Sequence, residues 1–192
     1  NKKIDKVLND DLVRDVARLF SKCCRAVEAM HMKRILHLDI KAENVLLRND
    51  EDVCLGDFGE ARALGERDGV RLSKAHGTEC VQAPEVLSGV QQGFDASVKL
   101  TTKADCWALG CLWYELLTGS KLFEEMACND WPRFFVLLTG DGELPPADLV
   151  GIFAGLAQRE AILGVFRHAF MRDASKRATA RELAELAGVL FN

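Results

Sequence analysis

The chain has 192 residues, 48% hydrophobic and 28% charged, with a formal net charge of −4, an ordinary composition for one soluble globular domain. That balance leaves no basic footprint of the kind phosphate backbones select, although Arg and Lys gather around residues 62 to 74, so no nucleic-acid partner is expected. No apolar run approaches the ~18 residues of a membrane span, the polar start NKKIDKVLNDD lacks a signal-peptide core, and seven cysteines without zinc-finger spacing read as reduced, mostly buried thiols of a cytosolic or nuclear protein.

From Asp11 to about Met32, apolar residues at Leu12, Val16, Leu19, Phe20, Cys23, Val27 and Met30 follow the helical period, with Asn9 or Asp10 available as N-cap. The short runs ILHL, VLLR and DVCL, separated by polar turns such as NDED, predict small strands and hairpins. Residues 60 to 82 have no clean period and carry glycines at 65, 69 and 77, which predicts a long surface segment of functional character. The run TTKADCWALGCLWYELL, residues 101 to 117, is apolar nearly all round and predicts a helix buried in the middle of the domain, stopped by Gly119.

Further on, DWPRFFVLLTG offers Asp130 as a cap and Pro132 in the first turn of a short helix, where a missing N–H costs nothing. PPADLVGIFAGLA is a weaker helical candidate, and residues 159 to 171 and 179 to 190 predict two amphipathic helices joined by RDASKRAT. The fold class expected is mainly α with a small β patch. Trp107, Trp113 and Trp131 are assigned to the core.

Four short strings carry the chemistry. His37-Leu38-Asp39 is followed by Asn44, then by Asp57-Phe58-Gly59, then by Ala83-Pro84-Glu85. Any one of these would recur by chance, but their order and spacing are those of protein-kinase signatures. The sequence resembles the eukaryotic protein kinase family, from the helix at 11 to 32 to the last residues, and it matches only the larger, C-terminal lobe. The resemblance implies one domain over 1–192, with a catalytic loop at 37–44, an activation segment at 57–85 and a buried central helix at about 101–117.

The residue types suit phosphoryl transfer, which needs a group to orient the attacking hydroxyl and cations to offset charge on the phosphate oxygens. By resemblance, Asp39 accepts the proton, Asn44 and Asp57 hold Mg beside ATP, and Lys41 contacts the transferred phosphate. Lys41 and Thr78 resemble the serine/threonine class, which implies Ser or Thr hydroxyls of protein substrates as acceptors. Glu85 is expected to pair with Arg177 and clamp the activation segment, and Asp105 to hold the catalytic-loop backbone. His37 is expected to pack beside Phe58 rather than to act as acid or base, with Gly59 completing the triplet. Ser73 and Thr78 also stand as candidate phosphorylation sites.

Two departures stand out. Leu38 replaces the usual Arg that couples activation-segment phosphorylation to activity, and Glu60 follows the Asp-Phe-Gly triplet. No glycine precedes Gly56, and no Val-Ala-Ile-Lys-like strand precedes His37. An N-terminal kinase lobe is therefore expected upstream, and without it the fragment is expected to hold ATP weakly and to be inactive. The alternatives are a pseudokinase that binds partners as a scaffold and a small-molecule kinase of the aminoglycoside phosphotransferase type. Lys41, Ala83-Pro84-Glu85 and the long activation segment speak against the latter.

Overall fold

A computed structural model of the chain describes residues 8–48, 52–65, 77–91 and 100–191. Ser73, much of the basic cluster at 62 to 74 and the middle of the 57–85 segment lie outside the described residues. The elements are α1 (Asp10–Met32), β1 (Ile35–Leu36), β2 (Val45–Arg48), β3 (Asp52–Leu55), β4 (Arg62–Ala63), α2 (Pro84–Gln91), α3 (Lys103–Thr118), α4 (Glu124–Asn129), α5 (Trp131–Thr139), α6 (Ala147–Val150), α7 (Arg159–Ala169) and α8 (Ala180–Gly188). Single 3-10 turns at Ala42–Asn44, Glu79–Val81 and Gly151–Phe153 join them. The fold is mainly helical, as expected.

Helix α1 begins where the Asn9 side chain accepts the Leu12 N–H at 2.9 Å, and Asp10 and Asp11 place negative charge at its positive end. Its stripe of Val13, Val16, Ala17, Phe20, Cys23, Cys24 and Val27 is buried, and it packs against α8, α3 and β3. The centre of the fold is α3, buried on nearly every side from Ala104 to Tyr114. Gly119 ends α3 in the left-handed region at φ 73, a conformation that costs glycine little. Helix α8 opens on a capping box, in which Thr179 and Glu182 satisfy each other's backbone N–H groups.

Two antiparallel ribbons lie beside this helical core. One pairs β2 with β3, with Val45 opposite Leu55, and the other pairs β1 with β4, with Ile35 opposite Ala63. The predicted strand ILHL ends after Leu36, because the next two N–H groups, of His37 and Leu38, are captured by Asp105 instead of a strand.

Several expectations needed correction. Strand β4 and helices α2 and α4 lay outside the expected elements; with two, eight and six residues they are too short to display a clear period. The segment PPADLVGIFAGLA forms only the four residues of α6 and a 3-10 turn. Trp107 and Trp113 are fully buried, whereas Trp131 is half-buried and stacks on Phe135. The cysteines are mostly buried, as expected: five are buried, and Cys54 and Cys128 are exposed. Among the described residues, no helix is long and apolar enough to cross a membrane.

Candidate active site

The site is built outward from Asp105 on α3, which is 1% exposed. Its Oδ2 accepts the His37 N–H at 2.9 Å and its Oδ1 accepts the Leu38 N–H at 2.8 Å. The His31 ring donates from Nε2 to the same carboxylate at 2.9 Å. Leu38 sits at φ 65, a left-handed conformation that costs a residue with a Cβ about 1–2 kcal/mol. Hydrogen bonds to a charged acceptor contribute about 1.5–3 kcal/mol each, enough to offset it. Asp105 thereby turns the chain sharply at Leu38 and delivers Asp39 to the next position.

Asp39 is buried and hydrogen-bonded on both oxygens. Its Oδ1 accepts the Thr78 N–H at 2.9 Å. Its Oδ2 accepts from Lys41 Nζ at 2.8 Å and from Asn44 Nδ2 at 3.1 Å. Lys41 Nζ also donates to the Thr78 hydroxyl at 2.8 Å, and Asn44 Nδ2 donates to the Asp39 carbonyl at 2.8 Å. Burial opposes the charge on Asp39, but the Lys41 ammonium and the Thr78 hydrogen bonds outweigh it and hold the carboxyl below the ordinary carboxylate range. The Ala42–Asn44 turn is anchored from α3 by Glu115, whose carboxylate accepts the Ala42 N–H at 3.0 Å.

The hairpin of β2 and β3 brings Asp57 to this loop. The Gly56 N–H bonds to the Asn44 carbonyl at 2.8 Å, and the Gly56 carbonyl accepts from His37 Nε2 at 3.0 Å. A carbonyl only accepts, so His37 carries its proton on Nε2. The His37 ring lies 5.3 Å from that of Phe58, the packing expected for it. Asp57 is exposed, sits at φ 54, and its Oδ1 accepts the Gly59 N–H at 3.2 Å. Asn44 has committed its amide nitrogen to Asp39, which leaves its oxygen as the remaining acceptor. One carboxylate and one amide oxygen at neighbouring points of a hairpin are hard donors of the type Mg accepts beside phosphates and water.

The family model for the protein kinase domain matches residues 4–186. The chain belongs to the protein kinase family. It is 31% identical over 200 residues to a probable serine/threonine-protein kinase of Dictyostelium discoideum, covering 90% of this chain and 8% of that protein. It is 39% identical over 127 residues to the serine/threonine-protein kinase Nek1 of Mus musculus, covering 66% of this chain and 10% of Nek1. It is 33% identical over 166 residues to the serine/threonine-protein kinase PknJ of Mycobacterium bovis, covering 84% of this chain and 26% of PknJ. The chain thus spans between 8% and 26% of the length of these three kinases.

In this kinase domain, the structure brings His37, Asp39, Lys41, Asn44, Thr78 and Asp105 into one hydrogen-bonded cluster, with Asp57, Phe58 and Gly59 at its edge. Glu85 and Arg177 stand apart from it and pair with each other. Arg177 Nη1 and Nη2 lie 2.7 and 2.9 Å from the two Glu85 oxygens. The sequence does not single out His31 and Glu115, because each acts through a partner brought close only by folding, and it offers Gly77 only as a loop glycine.

Proposed function

We propose that the full-length protein transfers the γ-phosphate of ATP to Ser or Thr hydroxyls of protein substrates in the presence of Mg, and that residues 1–192 supply the C-terminal lobe of its kinase domain, with an N-terminal lobe upstream. The observation that carries this reading is the state of Asp39: a carboxylate kept charged, fixed on both oxygens, with Lys41 bridging it to Thr78. Each carboxylate oxygen can accept two hydrogen bonds. Oδ1 takes the Thr78 N–H, and a substrate hydroxyl would compete for the remaining acceptor position with the Thr78 hydroxyl, which also bonds to this carboxyl.

In the step itself, the substrate oxygen forms a bond to the γ-phosphorus while the bond to the bridging oxygen of ADP breaks. The hydroxyl proton passes to Asp39. A carboxylate of low pKa is a weak base, but the transition state is loose and asks mainly for orientation. Lys41 offsets charge on the transferred group. Asp57 and Asn44 would hold Mg, which supplies charge neutralisation on the phosphate oxygens. His37 positions Gly56 and Phe58, and Asp105 positions Asp39. The unpaired cysteines support a reducing compartment, cytosol or nucleus.

The test uses the full-length protein, Mg-ATP and a generic basic protein substrate. Phosphate on Ser and Thr and none on Tyr is expected, with Asp57→Ala and Asn44→Ala raising the Mg concentration needed for half-maximal rate. Background incorporation by wild type at every Mg concentration would favour the scaffold reading instead.

A further inference from the structure

Gly77 and Gly119 share nearly one φ, 72 and 73, but not one environment. A Cβ on Gly119 would meet nothing within 4 Å. A Cβ on Gly77 would stand 2.4 Å from the Leu38 carbonyl oxygen and 3.2 Å from Asp39 Oδ1. The first of these is a backbone atom, and it belongs to a residue that is itself held at φ 65 by Asp105. It has no freedom to retreat without breaking those bonds. The chain at Gly77 therefore lies directly on the catalytic loop, and the next residue places its N–H on Asp39 Oδ1 at 2.9 Å.

We propose that Gly77 is a positioning residue for Asp39: its missing side chain lets the chain press against the Leu38 carbonyl, so that the Thr78 N–H docks on Asp39 and fixes the carboxylate for phosphotransfer. This deepens the proposed function and rests on it. A side chain at 77 would lift Thr78 away, free Oδ1 to rotate and shift the Thr78 hydroxyl relative to Lys41. Misplacement of a reacting group by about 1 Å can cost about a hundredfold in rate.

Asparagine separates the two demands on Gly77, because it tolerates the left-handed region yet carries the Cβ. In the full-length protein, amide hydrogen exchange at Thr78 is expected to be slow in wild type and in Gly119→Asn. It is expected to be fast in Gly77→Asn, with the α3 amides from Cys106 to Leu112 still protected. Asp39→Ala, which removes the acceptor without crowding Leu38, should also speed exchange at Thr78. In the kinetic arm, Gly77→Asn is expected to lower kcat by about a hundredfold with KM for ATP within about twofold of wild type, the split expected when only the reacting geometry is lost. Slow Thr78 exchange in Gly77→Asn, or in Asp39→Ala should the first variant fail to fold, overturns the proposal. Absence of phosphotransfer in wild type would overturn the proposed function while the exchange pattern still reports on Gly77.

Discussion

Arg177 and Glu85 stand 92 residues apart in sequence and form a two-pronged ion pair. The Arg177 side chain is fully buried, and its remaining donors reach backbone carbonyls: Nε to Met171 at 2.9 Å, Nη1 to Lys103 at 2.6 Å and Nη2 to Arg172 at 3.4 Å. The guanidinium also lies over the Trp107 ring, 5.2 Å from its centroid. One side chain thus ties α2, α3 and the turn before α8 together. Arg177→Ala is expected to cost less than the roughly 3–5 kcal/mol of a fully buried pair, because the Glu85 left behind is 22% exposed and water reaches it, and the loss is measured as a lower urea midpoint. Amide exchange in α2 should rise as well. Arg177→Lys should recover little, because an ammonium cannot reproduce the fork.

Gly110 lies where α3 meets the end of α7. A Cβ there would stand 2.7 Å from the Ala169 Cβ and 2.9 Å from the Phe170 ring, so Gly110→Ala overpacks the centre of the fold. A loss of about 1–3 kcal/mol is expected, read from thermal unfolding. Adding Ala169→Gly should restore part of it.

The Asp39 carboxyl should titrate below the ordinary carboxylate range, since burial raises it but the Lys41 and Thr78 contacts lower it more. Its contribution to stability is therefore present at neutral pH and is lost as pH falls through that depressed value. Lys41→Met leaves burial less opposed and should move the midpoint up. Carboxyl carbon NMR titration of Asp39 in the two proteins reads the shift, and a downward or absent movement would contradict the pairing.

Burial pushes the Cys23 thiol up to about 12 and the Cys80 thiol up to about 11, and a thiol reacts as its thiolate. Cys54 and Cys128 are the exposed pair. In the native protein at pH 8, a thiol reagent is expected to label those two among residues 1–192 and to reach Cys23, Cys24, Cys80, Cys106 and Cys111 only after denaturation.

The cluster around Asp39 was legible because Asp39, Lys41, Asn44 and Asp57 sit within one short stretch whose order and spacing resemble the kinase signatures. Helix α1 was legible from the period of its apolar residues, α3 from a run apolar nearly all round, and α5 from Asp130 and Pro132. What escaped notice has a common cause. Strand β4 exists because Arg62 and Ala63 meet β1 across the chain, and two residues contain no pattern of their own. His31 looks like one more polar residue in the last turn of α1 until folding places it 2.9 Å from Asp105. Gly77 reads as turn punctuation in a segment without period. Its close approach to Leu38 is a property of two backbones, which side-chain patterning does not encode.

The most direct test of the kinase reading compares wild type with Asp39→Asn in the full-length protein, following transfer of labelled γ-phosphate from Mg-ATP to Ser and Thr of a protein substrate. Asparagine keeps the shape of the side chain and removes its charge. Wild type is expected to incorporate phosphate, and Asp39→Asn to fall at least about a hundredfold with KM for ATP little changed. Equal rates from the two proteins would contradict the role assigned to Asp39.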